Sequence, residues 1–324
     1  MCYFGFDTFI TNGPLIFCCR KVKFALNRHG RVGEVTMKAL STFSVHNVEQ
    51  LTQPVLVSVP HAGRDYPDDL ISNLRVAPVE LLRLEDRYAD RLVRTAMASG
   101  FPTIIAHRAR AWMDLNRAES DIDIQMIAGP DRQMAASPSA KTRGGLGLIP
   151  RRLQSCGELW RGPLPRSAVE QRIAVLHGPF HQAVSDTLSA IRARFGVAIL
   201  LDVHSMPPLR PDQPDHAPPQ FVVGDRFGHS AASIHAELVL AHLRGRGFEA
   251  ALNTPYSGDH ILQTHGNPTR NIHALQLEVD RSLYLDSALR EPSGNMGSMA
   301  ALVEEIASVL ADNAVGASFA EAAE

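Results

Sequence analysis

The chain has 324 residues, room for one large α/β domain or two domains of about 150 residues each. Lys plus Arg number 32 and Asp plus Glu 34, a formal net charge of −2, which speaks against nucleic-acid binding through a global positive field. Hydrophobic residues make up 45% and charged residues 20%, enough to bury a core and to exclude whole-chain disorder, collagen and coiled coil. The unusual count is 14 histidines, several of them in Gly- and Pro-containing segments between apolar runs.

The N-terminal stretch carries Phe4, Phe6, Phe9, Leu15, Ile16 and Phe17 ahead of Arg20, Lys21 and Lys23. A secretory signal places its positive charge before the apolar run, so export is not expected. Cys2, Cys18 and Cys19 lie here and Cys156 stands alone; this is no disulfide framework and points to the cytoplasm. Residues 1–42 differ from the rest and are expected to be a poorly ordered extension, with Met37 a candidate start. The longest apolar runs are strand-sized, so no membrane span is expected.

From Leu51 the pattern is regular. Val55–Val59 reads as a buried strand ended by Pro60. Leu81, Leu84, Tyr88, Leu92 and Ala96 recur at helical spacing and predict a helix over 78–99, closed by Gly100. Pro102–Ala106 is a second strand, with Trp112–Leu115 its extension or the next one. Residues 118–165, rich in Gly, Pro, Ser and Arg, predict a long irregular excursion. Ser167–Phe195 predicts a long helix with a Ser167/Glu170 capping box, kinked or split at Gly178-Pro179. Strands follow at 197–203, 220–223, 248–252 and 273–279, with helices at 230–244 and 296–313. That alternation predicts one α/β domain over 43–315 with a central, mostly parallel or mixed sheet, and a flexible tail at 316–324.

Open α/β sheets bind ligands beyond the carboxyl ends of their strands. Four polar clusters stand there: Pro60-His61-Ala62-Gly63, Met113-Asp114-Leu115-Asn116-Arg117, Asp202-Val203-His204-Ser205 and Leu275-Gln276-Leu277-Glu278. A catalytic zinc commonly takes two histidines and a carboxylate, and His61 and His204 are the imidazoles best placed for this. Glu85, Asp86 and Asp90 are carboxylate candidates, Asp86 and Asp90 sharing a helix face at i, i+4. Glu278 interrupts an apolar strand, where an acid is costly unless paired or functional. Asn116 with Arg117 can grip a carboxylate, with Arg108 and Arg110 as rivals. Asp202 shares a strand face with His204 and can orient it. His260, His265 and His273 are candidates for the mouth of the site. His177 and His181 are spaced like a metal pair, but Gly178-Pro179 between them is expected to break that geometry.

VLVSVPHAGRDYP (55–67), EDRYADRL (85–92), WMDLNR (112–117), GLGLIPR (145–151), LLDVHS (200–205), GDRFGHSA (224–231), YSGDHILQTHGNP (256–268) and HALQLEVDRSLYLD (273–286) together resemble the N-formylglutamate amidohydrolases, in that family's order. The resemblance implies a three-layer α/β sandwich like that of the zinc carboxypeptidases, with a mixed, mostly parallel sheet. It implies a zinc-dependent hydrolase, one Zn2+ or other divalent metal per chain, that cleaves N-formyl-L-glutamate to formate and L-glutamate late in histidine degradation. By motif, His61, Asp86 and His204 are its metal ligands, Glu278 its general base, and Arg117 a catalytic and substrate-binding residue alongside Asn116, Arg110 and His265.

One departure stands out. Thr264 occupies a position where histidine-pathway members are expected to carry Arg, so Arg132, Lys141 or Arg143 would have to hold the second carboxylate, or the substrate differs. Two alternatives stay open: a zinc amidase for another N-acyl amino acid or peptide-like substrate, and a metal-free binding protein for a small acidic ligand. The expected partner is the small-molecule substrate, with neither nucleic acid nor membrane, in a monomer or homo-oligomer.

Overall fold

The computed structural model describes residues 41–129, 139–211 and 217–321, with side chains to residue 315. Its strands are β1 (Phe43–His46), β2 (Val55–Val59), β3 (Thr103–Ala106), β4 (Ile127–Ala128), β5 (Arg152–Leu153), β6 (Gly157–Glu158), β7 (Leu164–Pro165), β8 (Ala198–Met206), β9 (Phe221–Gly224), β10 (Ala250–Leu252) and β11 (Ile272–Asp280). Its helices are α1 (Asp68–Ser72), α2 (Ala89–Leu92), α3 (Arg94–Ala98), α4 (Ala140–Arg143), α5 (Arg166–Arg172), α6 (Gly178–Phe195), α7 (Ser233–Gly245), α8 (His260–His265) and α9 (Met296–Glu321).

Seven strands form one sheet in the order β1-β3-β2-β8-β11-β9-β10. The β3-β2, β2-β8, β8-β11 and β9-β10 pairs are parallel; β1-β3 and β11-β9 are antiparallel. Helices cover both faces, so central strands such as Val55–Val59 read as continuous apolar runs. The pleat divides β8 cleanly. Ile199, Leu201 and Val203 face one core with Leu302, Val303, Ile306 and Leu310 of α9. Ala198 and Leu200 face the other, with Phe180, Val184, Leu188 and Ile191 of α6 and Ile261 of α8. Asp202 and His204 continue this second face by the same alternation. The fold is thus the expected α/β sandwich with a mixed, mostly parallel sheet. Among the described residues, no helix is long and apolar enough to cross a membrane.

Several local expectations are corrected. The helix predicted over 78–99 breaks into a 3-10 turn (Pro78–Arg83), α2 and α3. The 3-10 turn stops at Arg83, and Tyr88, with φ 58°, is a left-handed residue that separates α2 from it. Asp86 and Asp90 therefore share no helix face: Asp90 pairs with Arg64, and Asp86 turns inward. No strand forms at 112–115, because the Asp114 carboxylate accepts the Asn116 N–H and closes a turn. Glu170 pairs with Arg166 instead of forming a capping box. The 167–195 segment is not split at Gly178-Pro179 but runs through a π turn at Ile173–His177. Gly178 N–H reaches back to Ile173 O, and Val175 O, which Pro179 cannot serve for lack of an N–H, accepts from Thr42 Oγ1. Strand β1 and helix α8 are additions. The expectations for residues 1–40, and for Arg132, lie outside the described residues. Backbone helix α9 continues past the expected end at 313 to Glu321.

Candidate active site

The carboxyl ends of β2, β8 and β11 lie side by side, and the site is assembled there. His61 follows β2 in a tight bend. A Cβ at Gly63 would stand 2.1 Å from Arg108 O, so only glycine lets this bend pack against the end of β3. His204 sits near the end of β8, opposite Glu278 of β11 in parallel register, with Asp202 opposite Gln276. Asp86 arrives from the broken helical segment, its N–H bonded to His61 O. His61, Asp86 and His204 each offer a ligand atom within 4.8 Å of the others, and all three are buried.

The orientation of both imidazoles is fixed from behind. His61 Nε2 lies 2.7 Å from Asp114 Oδ1, and His204 Nε2 2.8 Å from Asp202 Oδ2. A carboxylate accepts, so both Nε2 atoms carry the proton. Both Nδ1 atoms then face Asp86 Oδ2, His204 at 3.0 Å and His61 at 3.6 Å. His61 Nδ1 is buried and makes no hydrogen bond. In a neutral ring it is a bare lone pair aimed at a carboxylate. A divalent cation among the three atoms would satisfy all of them, with Asp114 and Asp202 as supporting acceptors. Glu85, the rival to Asp86, points elsewhere: it accepts from Tyr66 Oη and pairs with Arg87.

The charges around the site agree with this. Asp86, Asp114, Asp202 and Glu278 are four buried acids, met by Arg110 on Asp114 and Arg281 on Asp86. Burial opposes the ionisation of Asp86, but the hydrogen bond to His204 and the nearby His61 ring hold it well below the carboxylate range. Burial likewise opposes Asp114, which Arg110, His61 and Arg117 pull well down. His204 is pushed well above its usual value: burial is outweighed by Asp202 and Asp86. Burial pushes Glu278 up to about 7; His204 pulls against the rise and Asp86 adds to it. Gln276 Nε2 donates to Glu278 Oε1 at 2.8 Å and fixes its rotamer.

The other expected residues are spread around this centre. Arg110 donates from Nε and Nη2 to Asp114 Oδ2, at 2.9 and 2.8 Å. Asn116 Oδ1 accepts from Ile261 N–H and holds the first turn of α8. Arg117 donates to Leu146 O and Asn116 O and pairs with Asp259, which also pairs with Lys141. Among the described residues, Asn116 Nδ2 and Arg117 Nη2 have no hydrogen-bond partner in the chain. His265 donates from Nε2 to His181 Nδ1 at 2.9 Å, since His181 Nε2 is committed to Leu115 O. Burial lowers His265 to about 4, against the pull of Asp202. His273 lies at the start of β11, five residues and about 16 Å from Glu278, and packs on His235, away from the mouth. The His177–His181 pair is intact, rings 4.4 Å apart, contrary to the expectation that Gly178-Pro179 would break it.

Sequence reasoning assigns no role to three residues that matter here. Asp114 orients His61. Arg281 donates to Asp86 Oδ1 and to Ser205 Oγ and O, holding the free side of that carboxylate. Tyr256 is close enough that burial and then the Glu278 charge raise its hydroxyl pKa. The signal for Asp114 is its place between Met113 and Leu115 after a strand; Arg281 and Tyr256 offer none without the fold.

The model of the N-formylglutamate amidohydrolase family matches residues 53–285. N-formylglutamate deformylase from Pseudomonas putida is 30% identical over 236 residues, covering 72% of this chain and 82% of that protein; the Pseudomonas aeruginosa enzyme is 29% identical with the same coverage. The crystal structure of N-formylglutamate amidohydrolase from Ralstonia eutropha JMP134 superposes with a TM-score of 0.78 at 28% identity, over 85% of this chain and 99% of that one. An Agrobacterium tumefaciens gene product shares the fold at TM-score 0.58 and 16% identity, covering 88% and 97%. With the strand-end motifs and most of the sheet inside the matched span, the chain belongs to the N-formylglutamate amidohydrolase family, hydrolases of an amide bond.

Proposed function

We propose that the chain is a zinc-dependent deformylase that cleaves N-formyl-L-glutamate to formate and L-glutamate, in the cytoplasm and within histidine degradation. The observation that carries this reading is the bare, buried His61 Nδ1 facing Asp86 and His204, one strand away from Glu278. His61, Asp86 and His204 would hold the cation, within one catalytic domain over 43–315. When bound, the cation lowers the pKa of a coordinated water toward ~7 and draws charge from an acyl oxygen.

The remaining chemistry belongs to the side chains. Glu278 takes the proton of the attacking water; burial supplies the basicity and Gln276 the orientation. The same carboxyl then delivers that proton to the leaving amine nitrogen, so the C–N bond breaks without expelling an anion. Asp114 and Asp202 hold the Nε2 side of both imidazoles, so that the two Nδ1 atoms would face the cation. Asn116 Nδ2 and Arg117 Nη2 grip the substrate carboxylate. Arg110 and Tyr256 border the position where the tetrahedral oxygen gathers charge, and His265 closes one side of the pocket.

A different N-acyl amino acid is the second reading. It is favoured by Arg117 and Lys141 converging on the one carboxylate of Asp259, with Thr264 on α8 in place of a cation. Initial rates on N-formyl and N-acetyl derivatives of glutamate, aspartate, glutamine and alanine separate the two. A kcat/KM highest for N-formyl-L-glutamate by tenfold or more is expected; an equal or higher value for a monocarboxylic substrate selects the second reading.

A further inference from the structure

A second group of histidines sits between α6 and α8, outside the set that faces Glu278. His177, His181 and His260 each offer a ring nitrogen within 4.8 Å of the others. They border an open pocket of about 450 Å³ together with Glu119, Ser120 and Thr264. His177 is only 3% exposed, and its Nε2 donates to Arg117 O at 2.8 Å. A carbonyl cannot donate, so Nε2 holds a proton, and in a neutral ring Nδ1 is a lone pair. That Nδ1 is buried, without a hydrogen bond, and faces the pocket, with Glu119 Oε1 3.4 Å away. The arrangement repeats that of His61: one ring nitrogen tied to an acceptor behind it, the other bare toward a carboxylate. His181 Nε2 is tied in the same way to Leu115 O, while its Nδ1 accepts from His265 Nε2 and would exchange that bond for the cation. His260 is half-buried at the first turn of α8, packs against the His177 and His181 rings, and among the described residues hydrogen-bonds to Thr264 Oγ1, at 3.3 and 3.4 Å.

We infer that His177, His181 and His260, with Glu119 as an oxygen donor, form a second binding site for a divalent cation of the zinc class. Imidazole-rich sets with one carboxylate select zinc, nickel or cobalt over magnesium and calcium. The π turn at Ile173–His177 is what makes the site possible. It carries the helix past Pro179 and keeps His177 one turn from His181. A cation here would tie α6 to the first turn of α8, the helix that Asn116 and Arg117 hold through Ile261 and Asp259.

The test counts zinc on the full chain, stripped with a chelator, equilibrated with free Zn2+ and measured by native mass spectrometry. Two ions are expected on the parent chain. One is expected on His260→Ala, one on His177→Gln, and one on Asp86→Asn, which keeps the histidine cluster. His260 is half-buried at a helix start, so its variant folds even if the His177 variant does not. A zinc count that His260→Ala leaves unchanged overturns the inference. So does an Asp86→Asn chain that holds no zinc. A parent chain with one ion, lost in His260→Ala but kept in Asp86→Asn, supports this site and contradicts the His61 reading instead.

Discussion

Glu278 is buried in an otherwise apolar strand, and a carboxylate there survives only through its neighbours. Burial raises it to about 7 from 4.5, and a divalent cation beside it would favour the charged form. A general base works deprotonated. The rate should therefore fall as pH drops, with an acid limb in kcat/KM between 4.5 and 7, and stay level above it. A rate that rises on acidification through this window would contradict the assignment. Glu278→Gln keeps the shape and removes the base; kcat is expected to fall by about 10³ or more with zinc content unchanged. Asp114 acts one shell further out. Asp114→Ala leaves His61 without its fixed acceptor, and zinc affinity should drop by about 10- to 100-fold in a competition titration against a chelator. Unchanged affinity would mean that His61 is oriented by its loop alone.

At the scale of elements, the site depends on where strands end and how the chain leaves them. Asp202 and His204 are legible because a period of two places them on one face of an apolar strand, where a polar pair is costly unless it is bonded or functional. Asp86 is legible only through the family motif. Periodicity over 78–99 speaks for a continuous helix, and the left-handed turn at Tyr88 that frees Asp86 leaves no mark in hydrophobic spacing. The intact His177–His181 pair is hidden from the sequence because proline in a helix usually kinks it; a π turn and the Thr42 hydroxyl absorb the lost hydrogen bond instead. The bend after β2 is the most constrained of these exits. Gly63→Ala drives a Cβ into the Arg108 carbonyl, so the bend carrying His61 must move. We expect about 3 kcal/mol or more of lost stability by denaturant unfolding, above the ordinary range for overpacking, together with weakened zinc binding. A cost below about 1 kcal/mol would show that the bend has slack.

Across the whole molecule, alternation of strands and helices at regular spacing is enough to read an α/β sheet, because each element must bury one apolar face and little else is free to vary. The order of strands is not readable: β11 is parallel to β8 and antiparallel to β9, and nothing in either strand's composition sets that. The long-range partners meet the same limit. Arg281 on Asp86, Arg117 on Asp259 and Asn116 on Ile261 join residues more than a hundred positions apart. Under the proposed reading, sheet, strand ends and buried charges serve one reaction at the cation that His61, Asp86 and His204 would hold. The most direct test is formate release from N-formyl-L-glutamate by the purified chain, measured before chelation, after it, and after zinc is returned. Release that disappears with the metal and recovers with zinc is predicted. Release that survives complete chelation, or none in the zinc-restored chain, would contradict it.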